Sequence, residues 1–77
     1  TSIRLNDINL LCEQNEILDT EGISVKIRYG HDPVPARVKL DNDGFYIEFN
    51  SAEKSIAKGQ ACVFYYQDRV MGGGWIV

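Results

Sequence analysis

The chain has 77 residues, 44% of them hydrophobic and 25% charged, and its formal net charge is −3. This length is enough for one domain, which excludes a nucleotide-binding fold combined with a separate substrate domain. The acidic balance excludes a protein whose whole surface is basic enough to attract nucleic acid. No apolar run approaches the ~20 residues that span a bilayer, so we expect no membrane partner.

The two ends of the sequence suggest that it is a piece of a longer protein. The first residue is Thr1, whereas a coding sequence starts with Met, and the last residues are the apolar Trp75, Ile76 and Val77. We therefore expect residues 1–77 to be a single domain cut from a longer chain, with Val77 at or near the C-terminus of that chain.

Short alternating runs between turn residues predict an all-β fold, and no window shows a convincing helical pattern. The predicted strands are 7–12, 23–29, 36–40, 45–49, 61–66 and 69–76. The polar connection 13–22 holds Ile17 and Leu18, which suit a short strand; 50–58 has weak helical character, and 56–57 suits a brief pairing. A small closed or partly open barrel of about six mostly antiparallel strands would protect the edges of such a sheet.

The hairpin around residues 41–44 has a well-specified register, because Asp, Asn and Gly favour a tight turn there. The predicted pairs are Leu40 with Phe45, Lys39 with Tyr46, Val38 with Ile47, and Arg37 with Glu48. Apolar residues meet apolar residues and polar residues meet polar ones, and a slip of one residue would destroy this match.

Folding strand 23–29 back over the turn at 30–35 predicts that Arg28 faces Arg37 and that Lys26 faces Lys39. The predicted inner face consists of Val25, Ile27, Val38, Phe45, Ile47 and Phe49. The predicted outer face consists of Lys26, Arg28, Arg37, Lys39, Tyr46 and Glu48. Two interpretations remain open: a solvated surface on which Glu48 relieves Arg37, or a contact surface for an RNA backbone. In the second interpretation the RNA-contact candidates are Lys26, Arg28, Arg37, Lys39 and Tyr46.

No catalytic residue and no metal-ligand set is predicted from the sequence. Cys12 and Cys62 form neither a CxxC motif nor a zinc spacing, and Cys62 lies in a strand pattern where a free cysteine acts as a small hydrophobe. The single histidine, His31, lies in a turn. The Gly72–Gly74 run lacks the Lys-Ser/Thr end of a phosphate-binding loop, so we expect these glycines to let strands pass closely.

Four sequence segments, in this order, carry a family resemblance: Val25-Lys26-Ile27-Arg28-Tyr29, Pro35-Ala36-Arg37-Val38, Gly59-Gln60-Ala61-Cys62-Val63-Phe64-Tyr65 and Val70-Met71-Gly72-Gly73-Gly74-Trp75-Ile76. Through them the chain resembles the C-terminal β-barrel of the bacterial tRNA-specific 2-thiouridylases, which are tRNA-uridine 2-sulfurtransferases. That barrel is similar to the second domain of translation elongation factors.

The resemblance implies a cytoplasmic parent enzyme that activates the wobble uridine of tRNA with ATP and Mg and then delivers sulfur from a cysteine persulfide. It implies three partners: tRNA, the upstream catalytic domain of the same chain, and a sulfur-relay donor protein. It places the ATP-binding loop and the catalytic cysteines upstream, so we expect no cofactor and no catalytic residue here. The alternative is a purely structural or protein-docking barrel without RNA contact.

Overall fold

The computed structural model of the protein describes residues 2–53 and 56–77. Within them, six antiparallel strands close into a barrel in the order β1-β4-β3-β2-β5-β6. The strands are β1 (Ser2–Leu10), β2 (Ile23–Lys26), β3 (Val34–Asp41), β4 (Gly44–Phe49), β5 (Ala61–Tyr66) and β6 (Arg69–Ile76), and one helical turn, α1, spans Gln14–Ile17. The predicted all-β barrel is confirmed.

Two predicted hairpins are confirmed, the first of them residue for residue. In the β3–β4 hairpin the predicted pairs form, and Asp41 pairs with Gly44 at its end. The turn is held locally because the Asp43 backbone N–H donates to Asp41 Oδ1 at 2.9 Å, as expected for an Asp at the start of a turn. The β5–β6 hairpin has the predicted bounds and turns over Gln67 and Asp68.

The predicted register between β2 and β3 is wrong. The observed pairs are Ser24 with Pro35 and Val25 with Val34, so Lys26 does not face Lys39 and Arg28 does not face Arg37. The chain leaves the strand early because it turns at residues 28–31, where the His31 N–H donates to Arg28 O at 3.3 Å. The displacement is an even number of residues, so positions predicted to face outward still do.

The first strand begins earlier than predicted, at Ser2 rather than at position 7. Its alternation is interrupted by a bulge, where Asp7 has a φ of 51° and the pairing with β6 shifts register between Asn6 and Asn9. A bulge breaks the period of two on which strand prediction depends, so the alternation in the sequence does not extend the strand to Leu5, which is buried in the core. Residues 2–4 of β1 pair with β4, and the rest of the strand pairs with β6 on both sides of the bulge.

The connection 13–22 contains a helical turn instead of a short strand. Glu13 and Glu16 form a reciprocal capping box around α1, the arrangement that satisfies free N–H groups at a helix start. Ile17 is fully buried, Leu18 bridges to Val38, and the Asp19 N–H donates to Val38 O at 2.8 Å. This connection therefore covers the part of β3 that β2 leaves unpaired.

The described part of 50–58 is not helical, and 56–57 forms no strand. Positions 54–55 of that window lie outside the described residues.

The barrel interior is apolar. Its buried residues are Leu5, Ile17, Ile23, Val25, Ile27, Ala36, Val38, Ile47, Phe49, Cys62, Phe64, Met71 and Ile76. Of the six residues predicted for the inner face, five are buried and Phe45 packs against the cluster from a half-buried position.

The glycine run lies where β6 is paired with both β1 and β5. A Cβ at Gly73 would lie 2.5 Å from Cys62 O, and one at Gly72, whose φ is 144°, would lie 2.6 Å from Asn9 O. Both atoms belong to neighbouring backbones that cannot move aside without breaking the sheet. The expectation that these glycines permit close strand approach is confirmed.

Candidate nucleic-acid interface

The four cations predicted for one continuous face form two separate pairs. Lys26 and Arg28 line a groove beside β5, whereas Arg37 and Lys39 lie on β3 against the connection that carries α1. The separation follows from the observed β2–β3 register, which moves the ends of these strands apart.

Arg37 and Lys39 are engaged by acidic side chains. Arg37 Nη1 lies 3.0 Å from Asp19 Oδ1, Arg37 Nη2 lies 3.3 Å from Glu21 Oε1, and Lys39 Nζ lies 3.3 Å from Asp19 Oδ1. The hydrogen bonds from Arg37 and then Lys39 lower the pKa of Asp19 below its ordinary value. These pairs are exposed, so each contributes little stability on its own.

The local charge around Arg37 and Lys39 is nonetheless not positive. Glu48 faces Arg37 across the hairpin, so these two cations stand among three carboxylates, those of Asp19, Glu21 and Glu48. A phosphate approaching this site would have to displace them. Sequence reasoning missed Asp19 and Glu21 as partners, although an acid-rich stretch just before β2 was a signal that the cations could be neutralised.

Tyr46 is also engaged. Arg4, which was not among the candidates, lies over its ring with the guanidinium carbon 4.9 Å from the ring centroid. The same guanidinium makes a bidentate contact with Asp41, in which Nη1 donates to Oδ1 at 2.7 Å and Nη2 donates to Oδ2. The hydrogen bond from Arg4 lowers the pKa of Asp41 to about 2. One face of Tyr46 is therefore covered by a cation and does not offer itself to a base.

Lys26 and Arg28 have a different environment. They line a groove of about 270 Å³ together with Tyr29, Gln60, Ala61, Val63 and Tyr65. Neither cation makes an ion pair within the described residues, and no acidic side chain lines the groove. Arg28 Nε is buried and has no hydrogen-bond partner among them. This groove, which we call the Lys26–Arg28 groove, is a locally positive site on a net acidic chain.

Tyr29 stands at the rim of the Lys26–Arg28 groove and is 97% exposed. The turn at 28–31 presents it, since His31 bonds back to Arg28 and Gly30 takes a φ of 81° that favours glycine. Sequence reasoning placed Tyr29 inside a strand and so missed its exposure on the turn. Its position just before Gly30 was the signal that could have indicated a turn.

A second, apolar groove of about 280 Å³ lies on the outside of β1, β5 and β6. It is walled by Leu11, Val70 and Trp75, which are 61%, 42% and 49% exposed, and Gly72–Gly74 lie among its lining residues. We call it the Trp75 groove. The two grooves share Ala61 and Val63 and so adjoin one another on the barrel surface.

The two cysteines are poorly suited to nucleophilic chemistry. Both are free, and burial raises the pKa of the Cys62 thiol to about 12. Burial, followed by the nearby Glu16, also raises the pKa of Cys12. The thiolate is the reactive form, so neither cysteine is activated.

Within residues 2–53 and 56–77, no three His, Cys, Asp or Glu side chains are placed to hold a metal ion. The same part of the chain contains no helix long and apolar enough to cross a membrane.

The fold is a closed six-stranded antiparallel β-barrel that carries an acid-free cationic groove on its surface. The chain belongs to the aminomethyltransferase β-barrel domain family, whose model matches residues 1–76. Several similar proteins are named tRNA-specific 2-thiouridylase MnmA. The one from Rickettsia typhi is 48% identical over 94% of this chain, the one from Maricaulis maris 44% over 97%, and the one from Magnetococcus marinus 57% over 68%.

The match confirms the resemblance to the C-terminal barrel of the tRNA-specific 2-thiouridylases. The chain spans about a fifth of the Rickettsia typhi and Maricaulis maris proteins, 20% and 19% of their lengths. The name of the family refers to an aminomethyltransferase, whereas these relatives are named tRNA-specific 2-thiouridylase.

Proposed function

We propose that this barrel is a non-catalytic domain of a tRNA 2-thiouridylase and that it supports tRNA binding during ATP-dependent 2-thiolation of the wobble uridine. The observation that carries the proposal is the similarity to proteins named tRNA-specific 2-thiouridylase, at 44–48% identity over 94–97% of the chain. The unpaired cations of the Lys26–Arg28 groove support an RNA contact, because phosphate binding needs clustered Lys and Arg rather than overall positive charge.

In this proposal the reaction chemistry belongs to the rest of the polypeptide. ATP, Mg, the catalytic cysteines and the sulfur-relay donor protein would be engaged by the catalytic domain, in the cytoplasm. Among its described residues no three His, Cys, Asp or Glu side chains are grouped to hold a metal ion, and its two thiols have raised pKa values. In this proposal the barrel takes no part in the chemical steps.

The test uses the full-length protein that contains this chain. A variant with Lys26, Arg28, Arg37 and Lys39 all changed to Gln should bind tRNA more weakly and show a flatter dependence of log Kd on log salt. A form lacking residues 1–77 should show the same or a larger loss. ATP binding is the control and should not change. Unchanged tRNA affinity of both forms across a salt series would overturn the proposal, as would thiolation of tRNA by residues 1–77 alone.

A second candidate, a barrel that only docks on the catalytic domain of the same polypeptide, is favoured by the Trp75 groove. Leu11, Val70 and Trp75 present a contiguous apolar surface, the kind of patch that marks a protein contact. In the full-length protein, Trp75→Arg should weaken the contact between the barrel and the catalytic domain. Calorimetry should then show the barrel unfolding at a lower temperature than the catalytic domain. Unchanged coupling would remove this candidate.

A further inference from the structure

We propose that the Lys26–Arg28 groove is a nucleotide-binding site, in which Lys26 and Arg28 hold an RNA phosphate while Tyr29 and Tyr65 receive a base. The inference rests on the proposed function and makes it specific: of the five RNA-contact candidates derived from the sequence, it keeps Lys26 and Arg28. It replaces Arg37, Lys39 and Tyr46 with two tyrosines that were not among them.

The first argument concerns charge. Arg37 and Lys39 stand among Asp19, Glu21 and Glu48, whereas Lys26 and Arg28 line a groove without an acidic residue. A phosphate that enters the groove meets two cations and gives up no competing protein carboxylate. An Arg guanidinium can also engage two phosphate oxygens at once, which an exposed Lys alone does not.

The second argument concerns the rings. Tyr29 is 97% exposed on a turn whose geometry holds it away from the barrel, so nothing in the described part of the chain covers its faces. Tyr65 projects from the outer side of β5 into the same groove. Unstacked bases of single-stranded loops bind to aromatic faces of this kind, beside cations that follow the backbone.

The third argument concerns spacing. Lys26 pairs with Val63, and Tyr65 follows two positions along the same side of β5. Residues two apart on a strand share one face and lie about 6.6 Å apart. The cation and the ring are thus on adjacent strands and on the same surface, and Gln60 adds an amide that can read a base edge. Two cations, two aromatic rings and one amide in a single groove are suited to one or two nucleotides of a loop rather than to a long duplex.

The experiment compares matched variants of the full-length protein for tRNA binding over a salt series. Lys26→Gln with Arg28→Gln should raise Kd at least about tenfold and lower the salt slope by about 0.7, the value for one phosphate of a single strand. Arg37→Gln with Lys39→Gln is the matched control, with the same charge change, and should change Kd less than about threefold. Circular dichroism spectra and melting temperatures verify that both variants are folded.

The aromatic half is tested in the same way. Tyr29→Leu and Tyr65→Leu should each weaken binding about fivefold or more, with the salt slope unchanged, since stacking releases no counterions. Tyr46→Leu is the control and should bind like the wild type. The site is also detected by a short single-stranded RNA, which should protect Tyr29 and Tyr65 from iodination.

The outcomes separate this inference from the function on which it rests. If loss of residues 1–77 leaves tRNA affinity unchanged, the proposed function fails. If that loss weakens binding but the Lys26/Arg28 pair of changes does not, the domain binds RNA elsewhere and this inference is overturned. A groove variant that leaves tRNA binding intact but lowers the melting temperature of the full-length protein also overturns it, because the groove then contacts protein.

Discussion

At the scale of single residues, the glycine run shows how a missing side chain defines the fold. Gly73 has an ordinary backbone conformation, so its identity is required by space alone: the Cβ of an alanine would lie 2.5 Å from Cys62 O. Gly59 is the opposite case, with a φ of 85° and no atom within 4 Å of the added Cβ.

Gly73→Ala should destabilise the protein by about 1–3 kcal/mol, because an extra methyl group is forced into closely packed backbone. Urea unfolding followed by Trp75 fluorescence measures the loss. Gly59→Asn is the control and should cost less than about 1 kcal/mol, since Asn tolerates the left-handed conformation and the site is open. Equal losses in the two variants would show that close packing does not determine the identity of Gly73.

The Arg4–Asp41 contact predicts a pH dependence of stability. The pKa of Asp41 is about 2 in the folded protein, below the value of about 3.9 of an unperturbed Asp. A group whose pKa is depressed by folding stabilises the protein above its unfolded pKa, and that contribution is lost as the pH falls through the folded pKa. The loss should therefore occur between about pH 4 and pH 2.

The measurement is the urea midpoint at several pH values in that window, for the wild type and for Asp41→Asn. The variant keeps the side-chain oxygen that accepts from the Asp43 N–H but cannot ionise. Its curve should be flatter than that of the wild type, and the two should converge near pH 2. Parallel curves would mean that Asp41 contributes nothing to the acid sensitivity.

At the scale of elements, α1 and the residue after it complete a barrel whose β2–β3 pairing is short. β3 bonds to β2 only near its start, and the connection fills the gap by placing Ile17 in the core and Leu18 beside Val38. The polar connection, in which Ile17 and Leu18 were predicted to suit a short strand, is therefore part of the barrel wall.

Ile17→Ala should cost about 2–5 kcal/mol, the range for removing a fully buried aliphatic side chain. Chemical denaturation measures it, with Leu11→Ala as a control; Leu11 is 61% exposed and its loss should change stability by no more than about 0.5 kcal/mol. A small effect of Ile17→Ala would mean that α1 only lies on a barrel that closes without it.

At the scale of the whole molecule, closure of the barrel decides which side chains a reagent in solution can reach. Cys62 is fully buried on β5, between β2 and β6. Its thiol can react only when the barrel opens, because no local fluctuation of a loop exposes a central strand.

In a Cys12→Ala variant, the modification rate of Cys62 by a thiol reagent should therefore rise as urea lowers the free energy of unfolding. In the wild type, the half-buried Cys12 should react first. A Cys62 rate that is insensitive to stability would reveal a local opening of β5.

The sequence determined whatever depends on neighbours in the chain. The alternation of residues 36–49 and the Asp41–Gly44 turn specify one hairpin with its register, since a one-residue slip would expose the core face. The inner positions Val25, Val38 and Ile47 and the last hairpin followed in the same way. The segments around residues 25–29 and 70–76 also indicated the family.

Only the tertiary structure decided which charges remain available. Between residues 28 and 34 the register depends on how a loop turns, and sequence periodicity carries no information about that path. In the closed barrel, Asp19 and Glu21 lie against Arg37 and Lys39. Arg4 lies over Tyr46, and Lys26 and Arg28 remain beside Tyr29. An ion pair joins groups far apart in the chain, so the sequence could supply the cations, but only the closed barrel could show which of them were already neutralised.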